Sequence, residues 1–355
     1  MSRRKTALAT VVALSIAALI SHQASAESLT VVNQGGSPGD AQKTAVFDPF
    51  TAETGIEILV DTYNQELAKI RAQVETGNLI WDVASVHSLN DAIGCDEGLL
   101  EQIDWSEHID ETKFEAVGGF TECGAPYLVS PGALVYDADR WQGDMVPRSW
   151  SDFWNVEKWP GKRALPFQPD QVLEIALMSD GVAPRDVPEA LTSPGGVDRA
   201  FAQLEKIKPH VLWWKSGDES MQLLLTNEVV MGYGWQGRVN VANRSSGRNL
   251  KIAWEAGYTS AVIYLAVMTG SPKLKEAIEL VKYSLEAESQ ARYAEIMGYP
   301  PANVDSYAML SDENRANQPT EYLDRGMMQA GDLYISFWRD NGDSIRQRFS
   351  TFTAR

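Results

Sequence analysis

Apolar alternation and helical spacing trade places along the chain. Leu29 to Asn33 is a short apolar run read as a strand, and Gln34-Gly35-Gly36-Ser37-Pro38-Gly39 follows it as a glycine-rich loop. From Ala41 to Glu53, Val46, Phe47 and Phe50 share one helical face, and Gly55 stands where a C-cap glycine belongs. Ile56, Ile58 and Val60 alternate as a strand towards Tyr63. Leu67, Ile70 and Val74 recur at helical spacing between the capping residue Asn64 and Gly77. Asp82 to Val86 is the next strand. Strand, helix, strand, helix, strand predicts a parallel sheet with helices on its faces, an α/β fold.

Pro126 to Tyr136 reads as an extended crossing segment bent at Pro131-Gly132. A second α/β unit follows. Ala164 to Phe167 is a short strand, Pro169 opens a helix through Met178, and Val197 to Ile207 is helical with Phe201, Leu204 and Ile207 inward. Val211 to Trp214 is a strand, Asp218 to Thr226 a helix, and Ile252 to Trp254 and Ala261 to Met268 are strands. Ser271 and Pro272 supply an N-cap and a first-turn proline for a helix carrying Leu274, Ile278, Val281 and Leu285. A further helix ends at Gly298, and the tail to Arg355 reads as helical and polar.

The stretch Met231 to Ala242, MGYGWQGRVNVA, combines a buried strand with a turn and a helix start. In an open α/β sheet ligands bind at such a point. It sets an aromatic plate, an amide and a guanidinium side by side at Trp235, Gln236 and Arg238. The bland alternative is a core tryptophan beside a solvated arginine.

At the N-terminus, Arg3, Arg4 and Lys5 precede an apolar run from Ala7 to Ile20, and Ala24-Ser25-Ala26 forms a small-residue cleavage site. This predicts a signal peptide over residues 1–26 and an exported chain from Glu27. The run is too short to span a membrane. No second long apolar run follows, so the mature chain is expected to be soluble. The formal charge of −17 loses three further positives with that leader. Such acidity argues against nucleic-acid or anionic-membrane partners. The length allows two domains. Cys95 and Cys123 form a disulfide on the simplest reading for an oxidising compartment; two free thiols are the alternative.

Catalytic and cofactor signatures are sparse. There is no GxGxxG, GxxxxGK[ST] or GxSxG, and His87, His108 and His210 occupy no HExxH or metal-ligand spacing. No metal and no cofactor are expected. The many carboxylates are scattered as on a solvated surface. Trp213, Trp214, Trp235, Trp254, Tyr233, Tyr258 and Tyr299 gather instead around predicted strand ends and loops, which suggests a cleft.

Phe50-x3-Thr54-Gly55-Ile56, the Asp82-Val83 strand and Gly98-Leu99-Leu100-Glu101-Gln102-Ile103-Asp104 carry a resemblance that continues in Ile207-Lys208-Pro209-x-Val211, Gly234-Trp235-Gln236-Gly237 and Gly298-Tyr299-Pro300-x-x-Asn303. Over nearly all its mature length the chain resembles the periplasmic substrate-binding proteins of ABC importers, in the spermidine/putrescine branch. The cysteine pair and Trp213-Trp214-Lys215-Ser216-Gly217 are similar to an offshoot that handles small amine or amino-acid-like solutes. The resemblance implies a type II binding-protein fold, α/β, with two lobes joined by crossing strands near Gly132–Val135 and Ser260–Ile263. The first lobe is expected over residues 27–134 and 261–307, the second over 135–260 and 308–355. It also implies a monomer that works in the periplasm with an importer permease. A receptor-coupled sensor and a secreted two-carboxylate hydrolase are the alternatives.

Carried over by residue, the family's site tryptophan falls on Trp235 and its tyrosine on Tyr299. Its two carboxylates fall on Gln168 and Gln171, its Trp-x-Asp on Ala261 and Ile263, its serine on His87, and a further tyrosine on Leu89. The acids that would pair with a polyamine are therefore missing, with Asp170, Glu174, Glu219 and Glu255 as the replacements to consider. A buried, unpaired ammonium costs several kcal/mol. Arg238 and His87 are placed to meet a carboxylate instead. With Gln34 and Trp214 they complete an expected lining for an amine-, amino-acid- or carboxylate-like solute rather than a polyamine.

Overall fold

The computed structural model describes residues 28–354; the expected leader lies outside them. The elements run β1 (Ser28–Asn33), α1 (Gly36–Gln42), α2 (Asp48–Thr54), β2 (Glu57–Thr62), α3 (Leu67–Thr76), β3 (Val83–His87), α4 (Ser88–Asp96), β4 (Gly124–Asp137), α5 (Trp150–Trp154), β5 (Arg163–Pro166), α6 (Val172–Ser179), α7 (Val187–Thr192), α8 (Gly196–Ile207) and β6 (Val211–Trp214). They continue with α9 (Gly217–Leu225), β7 (Met231–Trp235), α10 (Gln236–Ser246), β8 (Leu250–Ile252), β9 (Tyr258–Val267), α11 (Leu274–Ser284), α12 (Ala287–Met297), α13 (Asp312–Ala316), β10 (Gly326–Met328) and α14 (Asp332–Thr353).

Among these residues the strands join one continuous sheet in the order β2-β1-β3-β9-β4-β7-β5-β6, with β8 and β10 beside β4 and β9. Each flank is parallel: β1 pairs with β2 and β3 on one side, β5 with β6 and β7 on the other. The middle is antiparallel, because β4 and β9 run past each other from Gly124↔Ala266 to Ala133↔Tyr258. The register slips between Pro126 and Leu128, where a proline removes a ladder donor. Val129 N there donates to Pro300 O at 2.9 Å, which ties the Tyr299 loop to the middle of β4.

The cores divide as the flanks do. Leu29 and Val31 of β1 enter a cluster with Phe47, Phe50 and Met297, while Val32 faces the opposite cluster with Ile70, Trp81 and Tyr264. That two-sided burial is what a parallel strand between two helical layers requires. The other flank builds a larger core around Trp150, Phe153, Leu173, Leu204 and Trp338. Arg163 is fully buried at its base, and its guanidinium donates to the carbonyls of Phe153, Gly161 and Trp159 at 2.7–2.8 Å. The Cys95–Cys123 disulfide is formed, joining the end of α4 to the approach to β4. No free cysteine remains.

Several expectations need correction. The glycine-rich loop is cut short, because α1 already begins at Gly36. The helix expected over 41–53 contains a π stretch at Lys43–Phe47, which lets Val46, Phe47 and Phe50 all reach the core. Although Ile56 to Val60 alternates, β2 is an exposed edge strand and Leu59 and Val60 face solvent. Asn64 does not cap α3; Glu66 occupies that position. The helix expected from Pro169 starts at Val172, because Gln171 adopts φ 74°. Trp254 lies in a 3-10 turn rather than a strand. The cap of α11 is Lys273, while the Ser271 hydroxyl donates to Asp82 instead. The tail helix α14 is polar on one face only: Tyr334, Trp338, Ile345 and Phe349 bury the other.

Candidate functional site

A cavity of about 160 Å³ opens where the carboxyl ends of the parallel strands from both flanks meet the β4–β9 pair. That is the place where open α/β sheets take ligands. Asn33 and Gln34 close β1, Ser85 and His87 end β3, Trp214 ends β6, and Trp235 ends β7. The crossing strands contribute Tyr127 and Ser130 from β4 and Ala261 and Ile263 from β9. The volume is below the ~300–1,000 Å³ of drug-sized pockets, so it suits a small solute.

The eight residues singled out from the sequence, Gln34, His87, Gln168, Gln171, Trp214, Trp235, Arg238 and Tyr299, all line this one cavity. Gly237 lets Tyr299 lie directly on the start of α10: a Cβ there would come within 2.4 Å of the ring. Burial raises the Tyr299 hydroxyl pKa, so it stays protonated. Arg238 is buried rather than solvated, and it pairs with the half-exposed carboxylate of Asp218. Gly217 makes room for it, since a Cβ there would fall 2.3 Å from Nε. Of the other aromatics, Tyr233 is buried and donates or accepts with Thr259, Trp213 packs on Phe349, and Trp254 pairs with Tyr258; none of these four lines the cavity.

His87 reaches the cavity as a neutral ring. Burial pushes its pKa down to about 4, and its Nδ1 accepts from Asn90 N as the cap of α4. It therefore meets a carboxylate, the partner expected from sequence, as a neutral N–H donor.

Amides supply much of the remaining polarity. Gln34 Nε2 and Gln65 Nε2 both donate to Ser85 O, at 3.0 and 2.9 Å. Gln42 accepts from Asn33 through Oε1 and leaves its buried Nε2 without a protein partner. Trp214 Nε1 and Tyr127 OH are likewise buried and unpartnered. These three atoms can donate. Gln171 Oε1 is the complementary case, a buried acceptor without a donor. Its left-handed backbone is strained by on the order of 1 kcal/mol for a side-chain-bearing residue.

No carboxylate lines the cavity among the described residues; its charged side chains are Arg238 and Lys215. Asp170 and Glu174 stay outside the lining. Burial raises both pKa values, that of Glu174 to about 8. Glu219 accepts from Lys215 N at the start of α9, and Glu255 pairs with Arg148 at the surface. None of the four replaces a polyamine-binding acid. No cluster of three potential metal ligands occurs among the described residues.

Sequence reading missed Gln42, Gln65, Tyr127 and Gln329, all part of the lining. Tyr127 was open to detection, because it is an aromatic within the crossing segment Pro126 to Tyr136 already read from the sequence. Gln329 follows β10 in a stretch with no periodic signal.

Comparison with known proteins places these features in a family. Residues 45–319 match the family described as bacterial extracellular solute-binding protein. The chain is 35% identical over 333 residues to the gamma-aminobutyric acid-binding protein of Pseudomonas aeruginosa PAO1, covering 94% of this chain and 93% of that one. A solved GABA receptor superposes with a TM-score of 0.80 at 30% identity, over 93% of this chain and 98% of its own. The spermidine/putrescine-binding periplasmic protein of Escherichia coli K12 is 25% identical, over 81% of this chain and 82% of that protein. The fold is shared with these relatives: two α/β lobes joined by crossing strands, the type II periplasmic-binding arrangement.

Proposed function

The chain belongs to the bacterial extracellular solute-binding proteins, and from that premise we propose that it captures a small zwitterion of the γ-aminobutyrate kind in the interlobe cavity. The observation that carries this reading is the composition of the lining. It combines a buried guanidinium with unpartnered N–H and O–H donors, adds a buried amide acceptor, and holds no carboxylate. A carboxylate at one end of the ligand meets Arg238, Trp214 and Gln42; an ammonium at the other meets amide oxygens. A dication would face no compensating charge. The 35% identity to a protein named for γ-aminobutyrate supports the same class.

In this reading Gln34, His87, Gln168, Gln171, Trp214, Trp235, Arg238 and Tyr299 contact the solute. Residues 27–134 with 261–307 form one lobe, and residues 135–260 with 308–355 the other. The protein acts as a periplasmic monomer that delivers its cargo to an ABC importer permease. Calorimetric titration with γ-aminobutyrate, putrescine and spermidine tests the ligand class. Micromolar or tighter binding of γ-aminobutyrate, with neither polyamine binding in that range, is expected. Micromolar binding of a polyamine overturns it, as does no binding of γ-aminobutyrate.

A further inference from the structure

We infer that Gln329 reads the ammonium end of the ligand, and that Glu174 and Tyr334 are positioning residues that hold its amide oxygen towards the cavity. This rests on the zwitterion reading above. Gln329 follows β10 and comes alongside β9, where its backbone is fully engaged: its N donates to Ser260 O at 2.8 Å and its O accepts from Ser88 Oγ at 2.6 Å. Among the described residues its side chain makes one hydrogen bond, from Nε2 to Tyr334 OH at 3.0 Å. Tyr334 OH in turn donates to Glu174 Oε1 at 2.9 Å. The residue is 6% exposed and lines the cavity. Its Oε1 accepts from no protein group and is the atom left for a ligand.

The direction of this chain decides which polar face the cavity sees. A phenol has one proton to give. While Tyr334 gives it to Glu174, its oxygen can only accept from Gln329, so the amide N–H₂ points inwards and the carbonyl outwards. Burial and repulsion from Asp170 keep a proton on Glu174 up to about pH 8. That proton is left to Oε2, which makes no hydrogen bond of normal geometry among the described residues, although the Trp338 indole lies near the carboxyl and lowers its pKa. The carbonyl-like Oε1 still accepts. An acid that could have faced the ligand thus acts two hydrogen bonds away. It supplies the polarity that selects an ammonium without placing a net charge in the cavity. Without the chain, the amide is free to rotate and present its N–H₂, which repels an ammonium.

The test compares γ-aminobutyrate with butyrate, which lacks the amine, by calorimetric titration of the full-length mature protein. Tyr334→Phe is expected to lose about tenfold in affinity for γ-aminobutyrate, as for a lost hydrogen bond to a charged group, and to hold butyrate within about twofold. Glu174→Gln keeps an acceptor at Oε1 and is expected to bind both ligands within about twofold of wild type. Glu174→Met and Gln329→Met are expected to match Tyr334→Phe; should the buried methionine at 174 prevent folding, the other two variants decide. The inference is overturned if Tyr334→Phe and Gln329→Met bind γ-aminobutyrate like wild type. It is also overturned if they lose both ligands equally, because that marks a purely structural role. Failure of the wild-type protein to bind γ-aminobutyrate instead removes the ligand class on which the inference stands.

Discussion

The indole rings of Trp214 and Trp235 meet edge to face, their centroids 5.3 Å apart and their planes at 70°. They come from the ends of two strands, β6 and β7, that are not neighbours in the sheet. Trp214 is nearly sealed, whereas Trp235 packs on both major cores at once. Trp235 is therefore the plate on which the two cores converge, and it lines the cavity between them.

Trp235→Ala should weaken solute binding by about 2 kcal/mol or more, as for a buried aromatic anchor. Circular dichroism should show the fold retained, and calorimetry the loss. Wild-type affinity in this variant would move the site away from β7.

Arg238→Gln should weaken γ-aminobutyrate by about 2 kcal/mol, the scale of a lost charge-assisted hydrogen bond. Its partner Asp218 is half-exposed and is solvated when released. Affinity should therefore suffer more than stability, which parallel titration and thermal melts would reveal. A melt that collapses while the residual folded protein binds normally would assign Arg238 to structure alone.

The disulfide closes a segment with a sequence separation of 28. In the chain-entropy model such a loop stabilises by about 3–4 kcal/mol. Thiol titration of the unfolded, unreduced protein should find no free thiol. The Cys95→Ser/Cys123→Ser variant should show a lower denaturation midpoint; an unchanged midpoint contradicts the expectation.

Glu174 sets a pH dependence of stability. The folded protein keeps its proton up to about pH 8, whereas the unfolded chain releases it near the ordinary 4.5. Between these values the folded state holds the extra proton. Its contribution is full below the unfolded value and is lost as pH rises through the folded one. The melting temperature of wild type relative to Glu174→Gln should therefore fall from about pH 5 to about pH 9. His87, pushed down to about 4, has the opposite sign: its contribution is present above its ordinary value near 6.5 and is lost as pH falls towards 4. A pH-independent difference between wild type and Glu174→Gln would show that Glu174 is not buried as described.

Local physics wrote much of this protein into its sequence. Gly55, Gly77 and Gly298 end helices in left-handed conformations, as their positions after apolar spacing predict. The runs at β1, β3 and β7 are short, rest between turn or helix-start residues, and form largely buried strands, as parallel strands covered on both faces do. The pattern around Trp235 and Tyr299, and the missing acids at Gln168 and Gln171, were also legible, since each depends on residue identity at a recognisable position.

What tertiary structure alone decided concerns residues whose meaning comes from distant neighbours. β2 alternates like a buried strand and is an exposed edge, because among the described residues no strand pairs beyond it. His87 carries no sign of its neutrality; the enclosure around it removes the charge. Gln329 stands in an aperiodic stretch and reaches the cavity because β10 returns alongside β9. Its link to Glu174 spans 155 positions of chain and exists only because α14 lays Tyr334 between them. A hydrogen bond constrains distance and direction in space, and spacing along the chain carries no record of it.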